Sequence, residues 1–138
     1  MKHIKTLGGP LYAEVEKYLL KIAEGLKYLH SKSIVHGDLK GNHVLIDQDR
    51  HACLADFGLT GWADATQATS TSNHAEVSDV YAFACVSVES YTGKYPFYDI
   101  PRDPTVILKV MQGERLGRPA CSIDRIMSNE LWGLVNAC

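Results

Sequence analysis

Two carboxylates and a lysine lie in short motifs whose residue types suit phosphate chemistry. Asp38 and Lys40 belong to His36-Gly37-Asp38-Leu39-Lys40-Gly41-Asn42-His43, and Asp56 heads Asp56-Phe57-Gly58. In phosphoryl transfer a protein mostly positions groups and offsets charge. One carboxylate beside an attacking hydroxyl accepts its proton, and a second holds Mg²⁺ against the phosphates. A lysine between them neutralises charge that builds on the transferred group. A lone Asp before Leu-Lys is ordinarily a turn or cap residue, so the pairing of two acidic motifs carries the argument.

The elements around these motifs must bring them together. Two apolar runs, Val44-Leu45-Ile46 and Cys53-Leu54-Ala55, flank the polar turn Asp47-Gln48-Asp49-Arg50 and read as a small hairpin that folds Asp56 back beside Asp38. Upstream, Leu11, Val15, Leu19, Ile22, Leu26 and Leu29 recur at helical spacing, which predicts an amphipathic helix over 11–32 with Pro10 in its first turn. Its charged residues, among them Glu16, Lys17, Lys21 and Lys27, fall largely off that stripe and form a solvated face. Downstream, the hydroxyl-rich run from Ala63 to Asn73 is expected as a mobile loop. Ser78 or Asp79 is expected to cap a buried helix through Val80-Tyr81-Ala82-Phe83-Ala84-Cys85-Val86, ended by Thr92-Gly93. Further helices are predicted over Pro104 to Gln112 and from Ser128 to Cys138, with Ser128 as N-cap and Leu131, Trp132, Leu134 and Val135 as the apolar side.

The chain has 138 residues, 46% hydrophobic and 22% charged, with formal net charge −2. That fits one soluble domain able to bury about two-thirds of its unfolded surface. No basic stripe points to nucleic acid, and no apolar leader or spanning run points to a membrane. A cytoplasmic protein, with a nuclear one also compatible, is the expectation. Cys53, Cys85, Cys121 and Cys138 have no C-x-x-C spacing and read as reduced thiols.

The two acidic motifs, in this order and around this hairpin, resemble the protein kinase family. Its catalytic loop reads His-Arg-Asp-Leu-x-x-x-Asn, and its metal motif is Asp-Phe-Gly. The pattern Ser78-Asp79-Val80-Tyr81-Ala82-Phe83, continuing to Tyr91-Thr92-Gly93-Lys94-Tyr95-Pro96-Phe97, is similar to the central helix and following loop of kinase large lobes, particularly the tyrosine-kinase-like Ser/Thr enzymes. The resemblance implies a mainly α fold of the α+β family: a C-lobe helical bundle with a small β-hairpin carrying the catalytic and Asp-Phe-Gly loops. Within one domain over 1–138 it divides the chain into the helix at 11–32, the catalytic loop and metal motif at 34–58, a shortened activation segment at 59–77 and a helical subdomain at 78–138. It also implies ATP and Mg²⁺ as cofactors and a protein substrate or partner. Asp38 matches the catalytic base, Lys40 the residue that contacts the transferred phosphate, and Asp56 the ligand that bridges Mg²⁺ and phosphates, with Phe57 packed beneath. Leu45 matches the side chain that floors the adenine pocket, and Lys40 implies Ser/Thr specificity.

Several positions depart from that pattern. His43 stands where the second metal-binding Asn belongs, with Asn42 one position early, and imidazole is a poor ligand for a hard cation. Gly37 replaces the arginine that meets a phosphorylated activation segment. No Gly-rich loop or Val-Ala-Ile-Lys strand precedes Leu11, so the N-lobe is expected to be absent from this chain. Impaired or absent phosphoryl transfer by the chain alone is therefore expected, with weak ATP and Mg²⁺ binding. The alternatives are a pseudokinase-like interaction module, whose exposed surface association with another protein would cover, and a truncated fragment without function.

Overall fold

A computed structural model describes residues 2–3, 14–56, 61–62, 71–100, 103–119 and 126–137. Nine regular elements follow in order among these: β1 (Lys2–His3), α1 (Val15–Ser31), β2 (Ile34–Val35), β3 (Val44–Ile46), β4 (Ala52–Leu54), β5 (Gly61–Trp62), α2 (Thr71–Thr92), α3 (Asp103–Met111) and α4 (Asn129–Ala137). A single 3-10 turn, Gly41–His43, leads into β3.

The helical period places Val15, Tyr18, Leu19, Ile22 and Leu26 on the buried face of α1. They meet Val44 and Ile46 of β3, Phe83 and Val86 of α2, and Met127, Leu131 and Val135 at the C-terminal end. Burying each such aliphatic side chain contributes roughly 1.5–3 kcal/mol before entropy is counted. Glu14, preceding α1, makes no capping bond of its own; its carboxylate accepts from the Tyr18 hydroxyl at 2.8 Å and Arg50 at 2.7 Å. The helix end is closed by Lys32 N–H on the Leu29 carbonyl and Ser33 N–H on that of His30.

The expected hairpin forms. β3 and β4 pair antiparallel with Leu45 opposite Cys53, and Ala55 N–H extends the ladder to the His43 carbonyl at 2.8 Å. Two pairings go beyond it: β1 adds a third strand, with His3 opposite Leu45, and β2 pairs with β5, with Val35 opposite Gly61. Segments of two residues carry too little periodicity to announce themselves.

α2 corrects the sequence reading at its start. It begins at Thr71, so Thr71–Asn73 are helical, while residues 63–70 of the expected loop lie outside the described residues. Neither Ser78 nor Asp79 caps it; both lie inside the helix, and the Asp79 carboxylate is engaged elsewhere. The helix is buried along one length by Phe83, Ala84, Val86, Ser87, Val88 and Ser90, with the hydroxyls of Ser87 and Ser90 donating to carbonyls four residues back. α4 starts after Ser128, whose Oγ accepts from Leu131 N–H at 3.1 Å as a cap should. Leu131 and Val135 are buried and Trp132 packs against the core, but Leu134 is 45% exposed, so the apolar side is narrower than predicted. Cys53 and Cys85 are free thiols; Cys121 and Cys138 lie outside the described residues.

Candidate functional site

The loop between β2 and the 3-10 turn is held by two buried side chains. The carboxylate of Asp79, 1% exposed, accepts from His36 N–H at 2.8 Å and Gly37 N–H at 2.9 Å, and contacts His30 Nε2 at 2.9 Å. A buried carboxylate is costly unless every oxygen is engaged, and these three contacts engage both. Gly37 has φ +79°, a left-handed conformation that glycine adopts without penalty. His36 is fully buried; its Nδ1 accepts weakly from Asp38 N–H at 3.4 Å and its Nε2 contacts the Ala55 carbonyl at 3.1 Å. That ring therefore ties the segment bearing Asp38 to the one bearing Asp56.

Asp38 and Asp56 meet across a third side chain. His43 Nδ1 lies 2.7 Å from the Asp38 carbonyl and 3.6 Å from Asp38 Oδ2, and His43 Nε2 lies 3.0 Å from Asp56 Oδ2. The imidazole is only 9% exposed, whereas the Asp56 side chain is 67% exposed. Asp56 has φ +61°, a left-handed geometry that Asp tolerates better than most residues. Lys40 does not stand between the carboxylates as its chemistry suggested. It binds one of them, Nζ to Asp38 Oδ2 at 2.8 Å, and imidazole fills the space between. The Lys40 ammonium holds the Asp38 carboxyl below its usual value; desolvation opposes this, and the nearby histidines add to the lowering.

Gly41 packs closely on α2: a Cβ there would come 3.0 Å from Glu89 Oε2, so the Glu89 side chain would have to give way. Leu45, between buried Val44 and Ile46, is half-buried and faces away from the core. Phe57 and Gly58 lie outside the described residues. Sequence reading missed Asp79 and His30 as the residues that hold the loop. The available signal was a charged residue opening an otherwise apolar segment, which was assigned to capping.

The fit to divalent magnesium is uneven. The exposed Asp56 carboxylate offers the hard oxygen that ion requires, and the His43 nitrogen does not. An oxygen-lined position for a second Mg²⁺ is not formed by these two side chains.

Comparison with known proteins shows the family. The family described as "Protein kinase domain" matches residues 3–138. The chain belongs to the protein kinase family. It is 33% identical over 112 residues to Mitogen-activated protein kinase kinase kinase 18 of Arabidopsis thaliana, covering 70% of this chain and 33% of that protein. It is 29% identical over 140 residues to Ribosomal protein S6 kinase 2 alpha of Xenopus laevis, covering 90% of this chain and 18% of that protein. Mitogen-activated protein kinase kinase kinase A of Dictyostelium discoideum is 27% identical over 140 residues, at 90% and 14%. The chain thus spans a third or less of the length of these curated relatives. Among the described residues no helix is long and apolar enough to cross a membrane.

Proposed function

We propose that this chain is the substrate-bearing lobe of a Ser/Thr-type protein kinase domain, built for ATP-dependent phosphoryl transfer to protein hydroxyls but strongly impaired in it. The observation that carries this reading is the His43 ring lying between Asp38 and Asp56. Asp38, kept ionised by Lys40, would orient a substrate hydroxyl and take its proton late in transfer. Lys40 would shift from Asp38 to the transferred phosphate, and Asp56 would hold Mg²⁺. Bound Mg·ATP would supply the phosphoryl group and neutralise its charge, while Leu45 would lie under the adenine.

His43 weakens this machinery in two ways. It replaces an oxygen donor by nitrogen, and it ties up the Asp56 oxygen that Mg²⁺ needs. A pseudokinase-like interaction role is a second reading, favoured by the exposed aromatics Tyr95 and Tyr98 beside a cavity of about 520 Å³ between the segment from the end of α2 to Asp99 and residues 114–119. Mg·ATP titration of the 138-residue chain, followed by thermal shift, tests the impairment. No shift is expected at about 1 mM nucleotide, a typical upper limit for substrate affinity. A clear shift that Asp56→Ala abolishes would contradict it.

A further inference from the structure

The contact between His43 and Asp56 poses a chemical question. The Asp38 carbonyl can only accept a hydrogen bond, so His43 Nδ1, 2.7 Å away, must carry the proton. In the neutral ring this leaves a lone pair on Nε2, with Asp56 Oδ2 3.0 Å off and bearing lone pairs of its own. Two acceptors at that distance need positive charge between or beside them.

We infer that His43 Nε2 and the Asp56 carboxylate form a site for a borderline first-row dication such as Mn²⁺, Co²⁺ or Zn²⁺, in preference to Mg²⁺. Three observations carry the assignment. First, nitrogen and oxygen ligands at about 2.0–2.2 Å from one ion lie roughly 3 Å apart when adjacent in an octahedron, which is the spacing seen here. Second, a ring whose Nδ1–H is anchored on a backbone carbonyl is held as metal-bound histidines are held, with its tautomer and orientation fixed. Third, the ring is buried while the carboxylate is open, so protein fixes one ligand and water can complete the shell. The mixed set suits transition ions, because imidazole adds affinity for them and almost none for Mg²⁺. Asp38, on the far side of the ring, adds negative potential that Lys40 partly offsets.

The inference rests on the reading of Asp56 as the metal-holding carboxylate, and its test contains no nucleotide. MnCl₂ is added to the 138-residue chain, and electron spin-echo modulation reports any ¹⁴N coupling from a ligated imidazole. Asp47, Asp49 and His51 also gather donor atoms within 4.8 Å of one another at the exposed β3–β4 turn, so His51→Gln is the control. Nitrogen modulation is expected in the wild type and in His51→Gln, and its loss in His43→Asn. Asp56→Asn should weaken Mn²⁺ binding about tenfold or more, and a roughly tenfold excess of Mg²⁺ should leave the wild-type signal in place. No nitrogen coupling in the wild type would mean that a second ring proton satisfies the contact, and the inference falls. Coupling that survives in His43→Asn, vanishes in His51→Gln or yields to that Mg²⁺ excess overturns it equally. Circular dichroism verifies that each variant is folded, and the solvent-exposed Asp56→Asn decides alone should His43→Asn unfold. Mn²⁺ coupling together with a Mg·ATP thermal shift would defeat the proposed impairment and leave this site standing.

Discussion

An imidazole at position 43 changes the electrostatics of both carboxylates it touches, and that exchange separates this loop from the pattern it otherwise follows. The motif residues were legible: Asp38, Lys40 and Asp56 stand in two acidic motifs, and the resemblance to the protein kinase pattern marked His43 as a departure. Which of them meet was not. Lysine was assigned the space between the acids because charge complementarity favours it, yet Lys40 lies two residues from Asp38 and closes on that partner instead. At this scale the Asp38 titration is the accessible test. Lys40→Met should raise the Asp38 pKa toward the ordinary carboxylate value, read by carboxyl ¹³C shifts across pH, because the ammonium is the largest cause of its lowering. An unmoved pKa would mean that the pair seen here does not persist in solution. Gly37→Arg, which restores the family residue, should cost about 1 kcal/mol in urea unfolding, since φ +79° strains a residue with a Cβ.

Helices were legible where their turns carried an apolar period or a cap. α1, α3 and α4 came out within a few residues of their predicted spans because each carries enough turns to show a 3.6-residue period or a cap. α2 did not, since its first turns are polar and read as loop, and its buried Asp79 serves a neighbouring segment. That acid is what fastens helix to loop. Asp79→Ala would leave the buried N–H of His36 and the part-buried N–H of Gly37 without this acceptor, and an unsatisfied buried donor costs about 1–3 kcal/mol. A destabilisation of about 2–5 kcal/mol by urea titration is predicted, and a loss under about 1 kcal/mol would show that the loop does not depend on α2. The Ser128 cap carries a smaller, separate expectation: Ser128→Ala should cost about 1 kcal/mol in the same measurement.

Among the described residues the molecule is a helical body with a three-stranded and a two-stranded sheet set against α1, and the site sits where loop, ribbon and α2 converge. That architecture followed from the family resemblance more than from periodicity, because strands of two and three residues leave almost no trace in sequence. The core itself was readable: Leu19 and Leu131, both fully buried, lie on faces predicted from spacing. Either Leu→Ala change should cost roughly 2–5 kcal/mol, and equal unfolding midpoints for variant and wild type would show that the two helices do not share this core. The central claim, however, is that one nitrogen in place of an oxygen donor turns the acidic centre away from magnesium. Mg²⁺ titration of the chain and of its His43→Asn variant, followed through the backbone amide signals of Asp38, Gly41 and Asp56, measures this without nucleotide or substrate. The account predicts Mg²⁺ affinity about tenfold or more higher in the variant, with the largest shifts at Asp56. Equal affinities, or tighter binding by the wild type, would contradict it.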